Sequence, residues 1–244
     1  MLPILIRLEH FTLYSYPLLL GLAWGFAYHY CESQKSAGLN TYLFNLFFAG
    51  NFLMSWIGSK VFFLIFSGGT NSSYYMQSSN FWLGGGFVFY GGLIFCLLFT
   101  FFFLYLNKLS FSSLVYFLPA LPFAHAIGRI GCLLAGCCFG SPTESILGVH
   151  IHEEKLIPVQ LFESLLCLGI GLVLVKLIKM GKTRWALPVY LLTYGLGRFA
   201  LEFLRADEVR GKLVYLSSSQ WVSIVLIILS MSLFLKNSKE RSSF

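Results

Sequence analysis

The chain has 244 residues, of which 57% are hydrophobic and only 11% are charged, against about 25% charged residues in an average soluble domain. This composition excludes an ordinary soluble fold and indicates a protein that lies mainly in lipid. The net charge of +7 does not indicate nucleic-acid binding, because no basic stripe accompanies a soluble domain. Cytoplasmic loops facing anionic lipid account for it.

Seven segments are apolar and long enough for membrane-spanning helices, which need about 20 predominantly apolar residues. In chain order they are Phe11–Tyr30, Tyr42–Phe66, Gly86–Leu106, Phe111–Ala126, Val159–Ile178, Trp185–Leu204 and Ser219–Leu235. No soluble domain fits between them, and the first segment lacks a convincing signal-peptide cleavage site. The sequence predicts an all-α integral membrane protein of about seven transmembrane helices, with residues 1–244 forming a single polytopic domain.

The positively charged loop residues predict the orientation, because cytoplasmic loops carry an excess of Lys and Arg. With the N-terminus outside, nine Lys and Arg residues fall in cytoplasmic loops and five in outer loops. The cluster Lys176–Arg184 decides this balance. We therefore expect an outer N-terminus, a cytoplasmic C-terminus, and outer segments at Ser67–Gly85, Phe139–Pro158 and Arg205–Ser218.

Arg129 and Arg198 lie after or within apolar runs, where an arginine costs about 2.5–3.5 kcal/mol on insertion scales. Snorkelling or a structural ion pair is one explanation. The other is a pair of cations that bind a lipid phosphate, which suits the planar guanidinium group. His125 precedes Arg129 by four residues, so the two side chains can share a helix face.

Helical spacing places Tyr194, Arg198 and Glu202 on one face of the sixth predicted helix, and Arg205 extends that face. Glu202 is expected to orient Arg198 or Arg205 rather than to act as an acid catalyst. We expect this stripe to face the interior of the bundle, because hydrocarbon would leave its polar groups unpaired.

The segment Gly84–Gly92 is too rich in glycine for a plain spanning helix. Irregular backbone at membrane depth lines a cavity or is buried in protein, and its N–H groups could then hold a phosphate or glycerol oxygen. Close helix packing through small residues is the alternative explanation.

Cys132, Cys137 and Cys138 follow a C-x4-C-C pattern that differs from standard zinc modules. They are expected to be small packing residues, and no metal ion or other cofactor is predicted. All six cysteines lie in or beside apolar segments, so no required disulfide is predicted either.

Five short segments occur in an order that is specific, although each segment alone is a weak signal. They are Tyr14 at the first helix, Phe89–Ile94, Gly128–Gly131 with Gly136 and Gly140, Pro158–Glu163, and the series from Tyr194 to Arg205. In these segments the chain resembles the prolipoprotein diacylglyceryl transferases, which are multi-pass enzymes of the bacterial cytoplasmic (inner) membrane. The resemblance extends from Phe11 to about Asp207.

The resemblance implies a transferase that takes the diacylglyceryl group from phosphatidylglycerol, a membrane lipid. The acceptor would be the lipobox cysteine of a prolipoprotein signal peptide, which becomes a thioether as glycerol phosphate is released. Arg129 and Arg198 would bind the phosphate and stabilise charge on the leaving group. The donor would be positioned by further residues, which are Tyr14, Tyr90, Gly91, Gly92, Gln160, Tyr194, Glu202 and Arg205.

The chain departs from the family's usual His, Asn, Glu and His at four positions, which are Tyr90, Cys132, Cys137 and Ile157. The residues expected to bind the lipid donor therefore match the family better than the residues expected to bind the acceptor. If a base is needed to make the acceptor thiolate, His125 is the nearest substitute for the missing histidine.

Two other functions stay open at this level. One is a family relative that uses the same phospholipid donor with another acceptor. The other is a non-enzymatic polytopic binding or transport protein, in which the arginines and glycines line a substrate path. The segments show no inverted repeat, which speaks mildly against a transporter, and the arginine pair speaks for a phospholipid site.

Overall fold

The computed structural model describes residues 2–8, 12–35, 39–68, 88–151, 154–205, 212–213 and 215–242. Seven α-helices occur within these residues. They are α1 (Ser15–Ser33), α2 (Thr41–Phe63), α3 (Phe89–Leu106), α4 (Ala120–Ala135), α5 (Val159–Lys179), α6 (Ala186–Glu202) and α7 (Ser218–Ser242). The described residues also form short strands, which are β1 (Ile4–Arg7), β2 (Thr12–Tyr14), β3 (Val149–Ile151), β4 (Glu154–Leu156), β5 (Lys212–Leu213) and β6 (Leu216–Ser217).

The described helices identify a helical, multi-pass membrane protein. Four stretches are long and apolar enough to cross a membrane, and α4 is a shorter apolar helix. The four stretches are Thr41–Phe66, Phe89–Leu106, Val159–Lys179 and Ser218–Lys239. Only 17–33% of their most apolar windows is buried inside the protein, so most of this apolar surface is left for lipid.

The strands pair as three antiparallel two-stranded hairpins, β1 with β2, β3 with β4 and β5 with β6. The all-α prediction did not include these three short hairpins. The first hairpin also moves the start of α1 from the predicted Phe11 to Ser15. Ser15 donates its backbone N–H to the carbonyl of Pro3 at 3.0 Å, and Pro17 occupies the first turn, where a missing N–H costs nothing.

The predicted span Phe111–Ala126 is wrong in its position. A 3-10 helix covers Phe111–Tyr116, and α4 begins only after Pro119. Proline disfavours helical backbone in the residue before it and favours a helix start after it. The helix ends at Ala135, so Arg129 lies inside it rather than after it.

Gly91 and Gly92 lie in the first turn of α3, which packs against α2. A Cβ atom on Gly91 would collide with the carbonyl oxygen of Gly58, and a Cβ on Gly58 would collide with that of Gly91. The expectation of irregular backbone is wrong for residues 89–92, where small-residue packing is confirmed. Residues 84–87 lie outside the described residues.

The chain forms two compact units, one of Met1–Ser33 with Val115–Phe244 and one of Gln34–Leu114. In the first unit the neighbouring helix pairs are α1–α4, α4–α5, α5–α6 and α6–α7. The second unit contains the α2–α3 pair. The single-domain prediction concerns both units together and stays a prediction. The polar candidates on α4, α5 and α6 all belong to the first unit.

Candidate active site

The centre of the site is the Glu163 carboxylate on α5, which is completely buried. Nη2 of Arg129 on α4 donates to its Oε1 at 3.0 Å and lies 2.9 Å from Oε2. Nη1 of Arg198 on α6 lies 3.6 Å from the same Oε2. Three helices thus bring two guanidinium groups to one carboxylate, because buried charges in an apolar bundle need opposite charges beside them.

His125 and Tyr194 complete the contacts with Glu163. Nε2 of His125 lies 3.4 Å from Oε1 of the carboxylate, and the Tyr194 hydroxyl donates to the same oxygen at 3.3 Å. The two rings also contact each other, with centroids 5.5 Å apart. His125 and Arg129 therefore share a helix face, as their spacing predicts.

Arg198 has two further partners. Its Nη2 lies 2.7 Å from Oε2 of Glu202, one turn later on α6, and donates to Oγ of Ser219 on α7 at 3.0 Å. Arg198 is only 6% exposed. The predicted pairing of Glu202 with Arg198 is confirmed, and so is the inward orientation of Tyr194, Arg198 and Glu202.

Each of the two arginines keeps a buried donor that is not hydrogen-bonded. Nε of Arg129 and Nη1 of Arg198 have no hydrogen-bond partner within the part of the chain that the structure describes. Leaving such a group buried costs about 1–3 kcal/mol, which an anionic ligand would recover. Since a guanidinium carries five N–H donors, contacts with Glu163 leave capacity for a phosphate.

Gln160 and Arg205 lie where the segment between α4 and α5 meets the helix ends. Gln160 is 1% exposed, and its Nε2 donates to the Cys137 carbonyl at 2.6 Å. Arg205 follows α6 and forms a β-bridge with Gly140. These contacts fix the segment after α4 against the ends of α5 and α6.

The thiols of Cys132, Cys137 and Cys138 lie within 4.8 Å of one another, so the three residues form a cluster rather than separate packing contacts. All six cysteines of the chain are free thiols. Hydrogen bonds with the Cys132 and Cys137 thiols, followed by the charges of Arg129 and Arg205, hold the pKa of Cys138 below its usual range against the opposing effect of burial.

The remaining candidate residues lie in other segments of the sequence than the residues that contact Glu163. Tyr14 is the last residue of β2 and is 45% exposed. Tyr90, Gly91 and Gly92 occupy the first turn of α3 in the second unit. The structure brings together the candidates on α4, α5 and α6, and the substrate-binding roles of these four residues stay predictions.

Glu163 is the residue that the sequence analysis missed. It appears there only as the last residue of the segment Pro158–Glu163, without a role. The signal was present, because a carboxylate inside an apolar helix is usually functional and paired with a basic partner. Ser219, which binds Arg198, carried no such signal, since a serine at a helix start is common.

Comparison with known proteins finds a family match over nearly the whole chain. Residues 3–236 match the family model described as prolipoprotein diacylglyceryl transferase. The chain belongs to this family. The resemblance inferred from the five sequence segments is therefore confirmed.

Curated relatives carry the same family description. The chain is 37% identical over 179 residues to phosphatidylglycerol–prolipoprotein diacylglyceryl transferase 2 of Clostridium perfringens, covering 64% of this chain and 66% of the relative. It is 34% identical to the Clostridium tetani enzyme, covering 62% of the chain and 64% of the relative. For the Streptococcus suis enzyme the identity is 32%, covering 74% and 71%. The chain thus spans just under two thirds of the length of the two clostridial relatives.

Proposed function

We propose that this protein transfers the diacylglyceryl group of phosphatidylglycerol to the lipobox cysteine of a prolipoprotein, forming a thioether and releasing glycerol phosphate. The names of its relatives give the donor and the acceptor class. The observation that carries the proposal is the convergence of Arg129 and Arg198 on Glu163, with one buried donor of each arginine not hydrogen-bonded among the described residues.

The phosphate of the donor lipid binds between the two arginines in this proposal. Glu163 and Glu202 balance the charges of Arg129 and Arg198 before lipid arrives and hold the guanidinium planes in place. Arg205 at the end of α6 adds a further positive charge. A fixed pair of guanidinium groups in a dry site stabilises charge far better than the same groups in water.

Catalysis follows from where charge develops. The acceptor thiolate attacks the glyceryl carbon that carries the phosphate oxygen, a C–S bond forms, and the C–O bond breaks. The electron pair leaves with glycerol phosphate, so negative charge grows on the oxygens that face Arg129 and Arg198. Their stabilisation of the leaving group is the main catalytic contribution.

The other polar candidates position the donor in this proposal. These residues position it indirectly. Tyr194 contacts Glu163, Glu202 contacts Arg198, and Gln160 holds the segment after α4. In other parts of the chain, the proposed lipid contacts are Tyr14, Tyr90, Gly91, Gly92 and Arg205.

His125 has two possible functions at its position beside Glu163. Its 3.4 Å contact with Oε1 positions the carboxylate. Its assignment as the base that deprotonates the acceptor thiol stays a prediction. If His125 is that base, His125→Gln will slow thioether formation by about 10²–10⁴, the usual contribution of a positioned general base.

We infer further that all seven helices α1 to α7 cross the bacterial inner membrane, with the N-terminus outside and the C-terminus in the cytoplasm. The excess of Lys and Arg in the predicted cytoplasmic loops supports this orientation. The segment from Phe139 to Pro158, next to the Arg129 and Arg198 site, then faces the side where preproteins emerge.

The direct test incubates the purified protein with phosphatidylglycerol labelled in its acyl chains and a lipobox peptide. The expected product is a peptide with a thioether-linked diacylglyceryl group, together with glycerol phosphate in equal amount. A peptide with serine in place of the lipobox cysteine is the control. Release of glycerol phosphate without labelled peptide would show that the acceptor is a different molecule.

A further inference from the structure

The end of α4 brings two cysteines together by its backbone geometry. Gly136 has a left-handed φ of 71°. The Cys137 N–H donates to the Cys132 carbonyl at 3.1 Å, and the Gly136 N–H donates to the Leu133 carbonyl at 3.2 Å. These two bonds define a Schellman motif, in which the side chains at the positions of Cys132 and Cys137 normally make a hydrophobic contact. Here both side chains are thiols.

The thiol of Cys138 is brought to the other two because Cys138 itself has left-handed backbone geometry. Cys138 has a φ of 65°, a conformation that costs a residue with a Cβ atom on the order of 1–3 kcal/mol and often occurs at functional sites. The Gln160 bond to the Cys137 carbonyl at 2.6 Å holds the turn against α5. No other His, Cys, Asp or Glu among the described residues joins the group.

We propose that Cys132, Cys137 and Cys138 bind one thiophilic divalent cation of the zinc class, and that its fourth coordination position takes the acceptor thiol. Zinc–sulfur bonds of about 2.3 Å in a tetrahedron place sulfur atoms about 3.8 Å apart. The thiols lie within 4.8 Å of one another, so closure by about 1 Å or less completes the site.

The exposure of the cluster supports an open fourth position. Cys132 is buried, Cys138 is partly buried and Cys137 is exposed, so the cluster has one side in the protein and one side accessible. Zinc sites with three protein ligands characteristically keep the fourth position for water or substrate. Arg129, one turn before Cys132, and Arg205 are the cations near these thiols, and they offset the negative charge of a thiolate-rich metal site.

The binding of the acceptor thiol at the fourth coordination position rests on the proposed function. A thiol that coordinates such a cation loses its proton outright, and here the proton passes to water. The thiolate sulfur then attacks the glyceryl carbon of phosphatidylglycerol, and the C–O bond breaks with its electron pair leaving on glycerol phosphate. The metal keeps its oxidation state, and the thioether product leaves the fourth position. The acceptor thiolate is then formed without a histidine base.

The metal site is tested without any lipid. The full-length protein in lipid nanodiscs is reduced, stripped with a chelator, and titrated with Co²⁺, which reports thiolate ligands by a charge-transfer band. We expect one equivalent of Co²⁺ to bind, Zn²⁺ to displace it, and Cys137→Ser and Cys138→Ser to abolish the band.

Cys96→Ser is the matched control for these variants. Cys96 lies on α3, where its thiol donates to the Asn51 carbonyl at 3.2 Å, a bond that serine can keep. This variant should bind Co²⁺ like the unaltered chain. Absence of stoichiometric binding, or binding that survives both Cys137→Ser and Cys138→Ser, overturns the metal site.

The acceptor position is tested by adding a lipobox peptide to the Co²⁺-loaded protein. The cysteine peptide should strengthen the charge-transfer band and the serine peptide should not, and Cys96→Ser should leave this response unchanged. Stripped protein should lose thioether formation and regain it with Zn²⁺. Equal transfer by stripped and loaded protein overturns the acceptor role. Absence of transfer in every sample, with Co²⁺ binding intact, counts against the proposed function alone.

Discussion

At the scale of single residues, the site depends on how two buried guanidinium groups are held close together. Arg129 and Arg198 would repel each other without Glu163, whose carboxylate lies between them. Nε of Arg129 and Nη1 of Arg198 have no hydrogen-bond partner among the described residues, so they can still donate to a second anion. Glu163 therefore holds the two arginines in position for a phosphate and leaves some of their N–H donors free to bind that phosphate.

Arg129→Ala and Arg198→Ala should each reduce the transfer rate by about 10²–10³, or roughly 3–4 kcal/mol of transition-state stabilisation. Lysine at either position should restore only part of the rate, because it keeps the charge but lacks the bidentate fork. The measurement is thioether formation at equal protein amounts. The exposed Arg7→Ala is the control, and near-normal transfer by folded alanine variants would make the arginines structural.

Glu163→Gln should destabilise the protein by about 3–5 kcal/mol, because it leaves two buried cations without their shared anion. Thermal unfolding in detergent measures this loss. Glu154→Gln on β4 changes an exposed carboxylate and should shift the midpoint little. Equal midpoints for the two variants would show that Glu163 does not hold the arginines.

At the scale of helices, small residues set how closely α2 and α3 approach. Gly91 and Gly58 each lie against the other's backbone carbonyl, so neither tolerates a side chain without separation of the helices. The helices of this pair expose much apolar surface to lipid, where the hydrophobic effect does not drive association. Close backbone contact is then a main source of their pairing.

Gly91→Ala should therefore destabilise the protein by about 1–3 kcal/mol through overpacking. Gly21→Ala on α1 is the matched control, because a Cβ there meets no atom within 4 Å and alanine is the better helix former by about 1 kcal/mol. Thermal unfolding of the two variants should shift in opposite directions. A stabilising Gly91→Ala would contradict the packing explanation.

Apolar segments predicted most helices to within a few residues, because a helix in lipid needs a continuous apolar run. Hydropathy does not locate a helix end where local backbone preferences compete with it. Pro119 moved the start of α4, and the hairpin before Ser15 moved the start of the first helix. Helical spacing found the Tyr194 to Glu202 stripe, whereas the contact of Glu163 with α4 and α6 depends on tertiary packing that spacing within one helix does not reveal.

At the scale of the whole molecule, the position of the site constrains the orientation in the membrane. Cys132, Cys137, Cys138, Gln160 and Arg205 all lie where α4 and α6 end and α5 begins. A secreted preprotein presents its cysteine at the outer face, so the proposed function needs this end of the bundle outside. The charge balance of the loops predicts the same orientation independently.

A cysteine introduced at Ser141 should therefore react with a membrane-impermeant maleimide in intact cells, since Ser141 lies in the predicted outer segment. A cysteine at Thr183, in the 3-10 helix between α5 and α6, should react only after the inner face is opened, because the basic loop there is predicted to be cytoplasmic. Both substitutions are made together with Cys137→Ser, so that the exposed native thiol does not contribute signal. Labelling at Thr183 in intact cells, with Ser141 protected until the membrane is opened, would reverse the topology and place the arginine site on the wrong side for a secreted acceptor.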